Sequence, residues 1–412
     1  MRAIVAIAIL LLVLLLGGLI VYILTRRLGN VLADRRRRTR RGLLESAADA
    51  WLASEPESLP RILARPGRWT DRELAIAVVL DRLPRADLAS RARLLGWLHR
   101  HGLVTRWIEE LSSRSAWKRG NAAERLAIVQ APESTEALVR ALDDPYFDVR
   151  MRAAKALGAV GGLRARQALV GALSDENRWS VIRIADLLAE MGPEVVGELV
   201  EAFPRMARTS RLAALDLIAH VADGRTIPFL LRQLDDLDRD VRARAASALG
   251  RIGDETAIRP LTAALQDVEW PVRAMAAKSL GELRGLGAAQ ALAASLRDRE
   301  WWVRANAAEA LQKLGEAGLD QLAAMLDDQD RFARDQALSM LESSGELARR
   351  LAPLGSPEDG RRQDALRLLH TLVTRQSRGR IVSLRDRQPD LRVREAIDEA
   401  LSALEPGRGD KT

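Results

Sequence analysis

The sequence contains no cysteine among its 412 residues. Disulfides and thiolate metal sites are therefore excluded, which is typical of a cytosolic protein. Histidine is also scarce: His99 and His101 lie two residues apart and face different sides of a predicted helix, while His220 and His370 are isolated. A helical metal pair requires i, i+4 spacing, so we expect no metal site.

Motifs for nucleotide binding and acyl transfer are missing as well. Residues 285–287 (Gly-Leu-Gly) resemble the start of a dinucleotide fingerprint, but no strand is predicted before them and the third glycine is absent. Neither a phosphate-binding P-loop nor a G-x-S-x-G elbow is present. Residues 238–240 (Asp-Arg-Asp) have the form of a metal-binding D-x-D, but they occupy a repeated turn and are interpreted as a helix cap. We expect no catalytic residues and no cofactor.

The basic excess is confined to one end of the chain. There are 64 Lys and Arg against 56 Asp and Glu, and residues 1–41 hold 9 of the former and 1 of the latter, which leaves 55 of each in residues 42–412. A strongly basic protein suggests nucleic acid as a partner. A body with balanced charge does not form a general phosphate-binding surface, although local basic stripes on it remain an alternative.

A motif recurs about every 31 residues along most of the chain. Its clearest copy is residues 267–283, DVEWPVRAMAAKSLGEL, and further copies begin at Asp144, Asp236 and Asp298. A fixed period of this length indicates a solenoid, in which each unit buries its apolar face only by stacking on its neighbours.

Each unit is predicted to be a hairpin of two helices. Val272, Ala276 and Leu280 recur at helical spacing and form one apolar stripe, and a shorter helix is predicted over residues 257–267. Paired alanines in the copies allow adjacent helices to approach closely. Gly281, or Gly315 in the next copy, is expected to release the chain near the C-terminal end of the second helix.

These residues resemble the HEAT repeat, and more closely its phycobilisome-lyase-like subclass. The resemblance rests on D-x5-R combined with V-R-x-x-A-A-x-x-L-G, and it covers roughly Trp117 to Leu404. It implies an all-α fold, a right-handed α-solenoid of helical hairpins, with a ladder of aspartates and arginines along the stack. The ladder residues are Asp144, Arg150, Asp236, Arg242, Asp267, Arg273, Asp298, Arg304, Asp328 and Arg334.

Ile4 to Leu24 is an apolar run long enough to cross a membrane as a helix. It is longer than the apolar region of a signal peptide, and no cleavage motif follows it. A cluster of basic residues comes directly after it: Arg26, Arg27, Arg35, Arg36, Arg37, Arg38, Arg40 and Arg41. By the positive-inside rule, the N-terminus lies outside and the repeats lie in the cytoplasm, as in a single-pass protein of the bacterial inner membrane. The same arginines are expected to attract anionic lipid.

The sequence thus predicts five segments. They are a transmembrane anchor (1–25), a basic juxtamembrane arm (26–42), a helical cap or degenerate repeats (43–115), the HEAT solenoid (116–404) and a disordered tail (405–412).

Tryptophan is abundant for a chain with only 4% aromatic residues, since nine are present. Several fall at the starts of predicted second helices, which line the concave side of a HEAT array. A large aromatic residue beside polar groups in a groove is typical of a binding hot spot, whereas Trp270 and Trp301 are alternatively expected to fill gaps between hairpins. The predicted groove residues are Trp302, Asn306, Glu309, Lys313, Trp270, Met275, Lys278 and Trp179.

The resulting hypothesis is a membrane-anchored, cytoplasm-facing scaffold or adaptor that recruits a protein partner. By fold analogy, its client is a membrane assembly such as a polysaccharide-synthesis or secretion complex. Two alternatives remain: an enzyme or ligand-binding protein like the phycobilisome lyases, and a nucleic-acid binder like the HEAT-like alkylpurine DNA glycosylases.

Overall fold

The computed structural model describes residues 2–53, 69–175, 179–355, 359–376 and 378–403. Side chains are described throughout these ranges except at residues 2–18, 20, 21, 24, 29, 32, 69–71 and 359. All regular elements in these ranges are helices, as the sequence predicts. The chain divides into two compact units, Met1–Ala165 and Arg166–Thr412.

The first unit begins with one long helix and continues with shorter ones. Its helices are α1 (Arg2–Ala53), α2 (Trp69–Arg82), α3 (Leu88–Arg100), α4 (Leu103–Glu110), α5 (Ala116–Val129), α6 (Thr135–Ala141) and α7 (Phe147–Val160), and α8 (Leu163–Ser174) crosses the division between the units.

Helix α1 connects the predicted anchor, the basic arm and the predicted cap without interruption. It is 52 residues long, which corresponds to about 78 Å at the ordinary helical rise. Its C-terminal end joins the body of the first unit, because Leu44, Ala48 and Trp51 are buried and Arg82 of α2 donates to Asp49 at 2.8 Å. The arm is therefore a helical extension of the first unit.

The predicted membrane anchor lies largely outside the described side chains, which within Ile4–Leu24 are those of Leu19, Tyr22 and Ile23. Among the residues that the structure describes, no helix is both long enough and apolar enough to cross a membrane. The predicted tail, residues 405–412, also lies outside the described part of the chain.

The second unit consists of helical hairpins in sequence. The helices are α9 (Val181–Glu190), α10 (Val196–Ala202), α11 (Arg208–Val221), α12 (Ile227–Gln233), α13 (Arg239–Ile252), α14 (Ile258–Ala264), α15 (Trp270–Glu282), α16 (Ala289–Ser295), α17 (Trp301–Lys313), α18 (Glu316–Ala324), α19 (Arg331–Ser343), α20 (Glu346–Leu351), α21 (Asp359–Arg375), α22 (Arg378–Arg387) and α23 (Leu391–Ala403).

From α10 to α19, short first helices alternate with longer second helices. The predicted stripe of Val272, Ala276 and Leu280 is fully buried on α15, and Leu261 of the preceding first helix is equally buried. Each hairpin thus buries one apolar face, and second helices of successive repeats also pack directly on one another. The hairpin architecture expected from the 31-residue period is confirmed for this part of the chain.

Gly281 has a different role from the one predicted. It lies inside α15, and a Cβ atom placed on it would approach the Cα atom of Ala310 to 2.7 Å. The residue therefore permits close packing of α15 on α17. The chain leaves the helix instead at Arg284, whose φ is 51°, while Gly315 does have the positive φ of a helix end, 72°.

Candidate functional site

The second helices of the second unit are held in a fixed register by very close contacts. A Cβ atom on Gly250 of α13 would lie 2.6 Å from the Cβ atom of Ser279 on α15, and Gly281 makes the equivalent approach to Ala310 on α17. These contacts lie near the C-terminal ends of the helices, and no side chain separates the helices there. Residues at equivalent positions of successive repeats therefore form rows.

One such row is made by aspartates and arginines. Arg242 donates to both carboxylate oxygens of Asp267 at 2.7 and 2.8 Å, and Arg273 contacts Asp298 in the same way at 2.6 and 2.9 Å. In the first unit, Arg119 binds Asp144 with the same pair of donors. Each of these arginines binds the aspartate of the following repeat.

Within a repeat, aspartate and arginine meet through the backbone instead. The Nη1 atom of Arg273 donates to the carbonyl oxygen of Asp267 at 2.8 Å, while a carboxylate oxygen of Asp267 accepts from the backbone N–H of Glu269 at 2.8 Å. The structure places Arg242 and Asp236, Arg150 and Asp144, Arg304 and Asp298, and Arg334 and Asp328 in the same relation.

Electrostatics favour the charged form of these aspartates. Burial works to raise the pKa of Asp267, but hydrogen bonds from Arg242 and from the backbone of Glu269 outweigh burial and lower its pKa below the ordinary value. Asp298 has a lowered pKa for the same reasons. The row is a set of ionised cross-links between repeats, and its paired members offer no free charge to a ligand.

A second row at the same edge is apolar and exposed. It consists of large apolar residues in the turn before, or the first turn of, four successive second helices, and we call it the turn-edge strip. Its members are Leu237, Val268, Trp270, Trp301, Trp302 and Phe332, all of them exposed.

The two tryptophans of α17 are the largest part of this strip. Trp301 is 54% exposed and Trp302 58% exposed, and their rings meet edge to face with centroids 4.8 Å apart. Trp301 is therefore not enclosed between hairpins, contrary to the expectation that it fills a gap there. Trp179, by contrast, is only 7% exposed and does not belong to the strip.

The remaining predicted groove residues serve other purposes. The side-chain amide of Asn306 donates to the carbonyl oxygen of Ala274 at 2.8 Å and so ties α17 to α15. Glu309 and Lys313 form an exposed ion pair with each other at 2.8 Å. Met275 is half-buried and Lys278 is exposed. The polar groups that were expected to surround Trp302 are thus partly used inside the stack.

Leu237 and Val268 were missed by the sequence analysis. Each follows a ladder aspartate directly, at the point where the chain turns toward the second helix. An apolar residue in a turn between charged residues indicates an exposed apolar side chain, and this pattern is visible when the copies of the motif are compared.

The basic arm forms a separate surface on α1. Its arginines are exposed, and Arg41 is paired with Glu45 one turn later at 2.8 Å. The arm belongs to the first unit, and the turn-edge strip belongs to the second.

Comparison with known proteins gives one family match. The family model described as HEAT repeats matches residues 104–189, 198–271 and 258–342, together more than half of the chain. No curated protein matches the chain.

Several solved structures are similar to it. An engineered protein has a TM-score of 0.34 and 18% identity, with 73% of this chain and 98% of that chain covered. The karyopherin Kap121p has a TM-score of 0.45 and 13% identity, with 87% of this chain and 49% of that chain covered, so the match spans about half the karyopherin. Human deoxyhypusine hydroxylase in complex with glycerol has a TM-score of 0.28 and 24% identity, with 66% and 97% covered.

Proposed function

The chain belongs to the HEAT-repeat family, and on this basis we propose that it is a protein-interaction scaffold that holds a partner on the turn-edge strip of its second unit. We further propose that the apolar run Ile4–Leu24 anchors it in a membrane, with the repeats in the cytoplasm. The partner is a membrane-associated protein, since an anchored scaffold meets such proteins at a raised effective concentration.

The observation that carries the proposal is the exposed pair Trp301 and Trp302. Tryptophan is enriched among residues that dominate binding energy at protein interfaces, and contiguous exposed apolar patches on soluble domains mark interaction sites. Exposed apolar residues also occur at the same edge of three neighbouring repeats, and in this proposal they extend the contact surface beyond the pair.

The continuity of α1 supports the anchoring part of the proposal. A helix that runs from Arg2 to Ala53 and is packed into the first unit at Leu44 and Trp51 connects the apolar run to the body without a flexible linker. Such a connection fixes the distance of the first unit from the bilayer. The arginines that follow the apolar run supply the positive flank expected on the cytoplasmic side.

The test is affinity purification of the full-length chain in mild detergent, followed by mass spectrometry of the retained proteins. We expect the wild-type chain to retain a stoichiometric membrane protein, and the variant Trp301→Ala/Trp302→Ala to lose it. Trp117→Ala is the matched control, because Trp117 is a tryptophan of the first unit that is even more exposed than Trp301 and Trp302, and it should retain the partner.

Retention of the same protein by the Trp301→Ala/Trp302→Ala variant would place the interface elsewhere and contradict the proposed site. A pigment or small molecule purified in place of a protein would contradict the scaffold function and favour a lyase-like one.

A further inference from the structure

In the described part of the chain, the ladder lacks its cross-repeat ion pair at Arg304 of the second unit, and the reason is visible in the spacing. In intact rungs, an arginine is followed 25 residues later by the aspartate that it binds. These rungs are Arg119 with Asp144, Arg211 with Asp236, Arg242 with Asp267, and Arg273 with Asp298. Position 329, which is 25 residues after Arg304, is a glutamine, and the aspartate stands one residue earlier.

Asp328 forms an ion pair with a different arginine. Asp328 keeps its turn geometry, since its carboxylate accepts from the backbone N–H of Asp330 at 2.9 Å. Its charge, however, is neutralised by Arg297, whose Nε atom lies 3.1 and 3.0 Å from the two carboxylate oxygens. Since Gln266 stands at the position of Arg297 one repeat earlier, this arginine is special to the shortened repeat.

Within the described residues, Arg304 consequently makes the backbone contacts of a ladder arginine but lacks the contacts to a carboxylate of the next repeat. Its Nη1 atom donates to the carbonyl oxygens of Asp298 and Arg299 at 2.7 and 3.0 Å, and the ring of Phe332 lies 5.0 Å from its guanidinium carbon. Within the described residues, no carboxylate binds the Nε and Nη2 atoms, the donors that hold aspartate in Arg242 and Arg273.

The missing counter-charge is unfavourable because of where Arg304 lies. Arg304 as a whole is only 9% exposed, and a largely buried cation is stable in proteins chiefly when an anion pairs with it. The planar fork of arginine is complementary to a carboxylate, which it binds through two parallel hydrogen bonds. The neighbouring rungs show this arrangement in the same backbone setting.

We propose that Arg304 is a binding site for an aspartate or glutamate side chain in an acidic segment of the protein partner. The carboxylate takes the place that Asp267 and Asp298 occupy on the preceding rungs, and it completes the ladder from outside. Apolar residues next to it in the partner segment contact Trp301, Trp302 and Phe332, all exposed beside the site. This inference rests on the proposed function, whose partner it describes chemically.

Charge around the site agrees with an acidic partner. Arg331 is exposed. Its guanidinium carbon lies 5.5 Å from the ring of Phe332, the same ring that Arg304 contacts. The nearby Asp298 and Asp328 are already neutralised by Arg273 and Arg297. An approaching anion therefore meets unpaired positive charge at Arg304 and Arg331, while the adjacent carboxylate of Asp330 is bound to the backbone N–H groups of Phe332 and Ala333 at the start of α19.

The probe for a test is a library of random 12-residue peptides displayed on phage and selected on the immobilised full-length chain in mild detergent. We expect the selected peptides to share an aspartate or glutamate flanked by apolar residues. The best peptide is then labelled, and its affinity is measured by fluorescence anisotropy with its acid intact and with the acid replaced by the corresponding amide.

For the wild-type chain, we expect the amide peptide to bind at least tenfold more weakly, because a charge-assisted bidentate contact is lost. For Arg304→Gln, the acid and amide peptides should bind equally within about twofold, as a double-mutant cycle requires when the two groups contact each other. Arg331→Gln is the control for general attraction, and it should preserve the preference for the acid. The comparison of the two peptides on the wild-type chain needs no variant, so misfolding does not affect it.

Two failures are distinguishable. In the first, peptide binding is lost in Trp301→Ala/Trp302→Ala, but the peptides need no acid or keep their preference for the acid in Arg304→Gln. This result would contradict the carboxylate site and leave the proposed interaction surface supported. If no selected peptide depends on either tryptophan or on Arg304, both proposals fail.

Discussion

At the scale of single residues, Asp298 shows how one carboxylate joins two repeats. It accepts two hydrogen bonds from Arg273 of the preceding repeat and one from the backbone N–H of Glu300 in its own turn. Burial works to raise the pKa of Asp298, but these hydrogen bonds outweigh it and lower the pKa below its ordinary value. A depressed pKa in the folded state stabilises the fold above the ordinary aspartate pKa, about 3.9, and this stabilisation is lost as the pH falls below that value.

Asp298→Asn is therefore expected to lower the free energy of unfolding at pH 7 by about 2 kcal/mol, because it leaves the largely buried Arg273 without its counter-charge. At pH 3 the difference between the variant and the wild type should shrink, since the unfolded wild-type chain then takes up a proton at this carboxylate, which the folded state with its lowered pKa binds less readily. Urea unfolding of both proteins at the two pH values measures this.

The control for this prediction is Asp364→Asn. Asp364 forms an ion pair with Arg367 in which both side chains are almost fully exposed, and such pairs contribute little to stability. An equal loss in both variants, or a gap between Asp298→Asn and the wild type that does not narrow at pH 3, would contradict the assigned role of Asp298.

At the scale of helices, the spacing of apolar residues predicted the hairpins well. Val272, Ala276 and Leu280 are buried as their period requires, because a stripe of one helix must pack on its neighbours. The position of side chains at the edges was less predictable. The period places Trp301 in the first turn of α17 but does not say whether a neighbouring hairpin covers it; in the structure it is 54% exposed.

The interrupted rung illustrates the same limit. The pattern D-x5-R identifies Arg304 and Asp328 as ladder residues, and both occur where the pattern requires them. Their contacts, however, depend on the length of chain between them, which is one residue shorter than in the other rungs. Local motifs therefore predicted the residue types of the site, whereas the partner of each arginine required the geometry of two adjacent repeats.

The close packing of second helices gives a prediction at this scale. Gly281→Ala is expected to destabilise the protein by about 1–3 kcal/mol, because the added methyl group meets the backbone of Ala310, which has no flexible side chain to move aside. Thermal unfolding followed by circular dichroism measures the effect.

Gly171→Ala is the matched control, since Gly171 lies within α8 and a Cβ atom there meets nothing within 4 Å. Alanine has a higher helix propensity than glycine, so this variant should be as stable as the wild type or more stable, by about 0.5–1 kcal/mol. A tolerated Gly281→Ala would mean that α15 and α17 are further apart than the structure has them.

At the scale of the whole molecule, charge divides the chain into two parts of different character. Residues 42–412 carry equal numbers of basic and acidic residues, and in the second unit most of the charges near the turn-edge strip neutralise one another. The arm on α1 carries nearly all of the excess. The balanced part is suited to a specific protein interface, with Arg304 as the proposed contact, and the arm is suited to an anionic membrane surface.

The proposed orientation in the membrane follows from the arm and is testable on the complete chain. If positive charge decides the topology, replacing the six arginines between residues 35 and 41 with glutamine and adding three arginines after Met1 should invert the protein. A C-terminal green fluorescent protein, which fluoresces in the cytoplasm, should then lose its signal, and a C-terminal alkaline phosphatase, active outside, should gain activity. Replacing the same six residues with lysine keeps the charge and should keep the original orientation. An active phosphatase on the wild-type chain would place the repeats outside and contradict the proposed topology, and recovery of the wild-type chain without membranes would contradict the anchor itself.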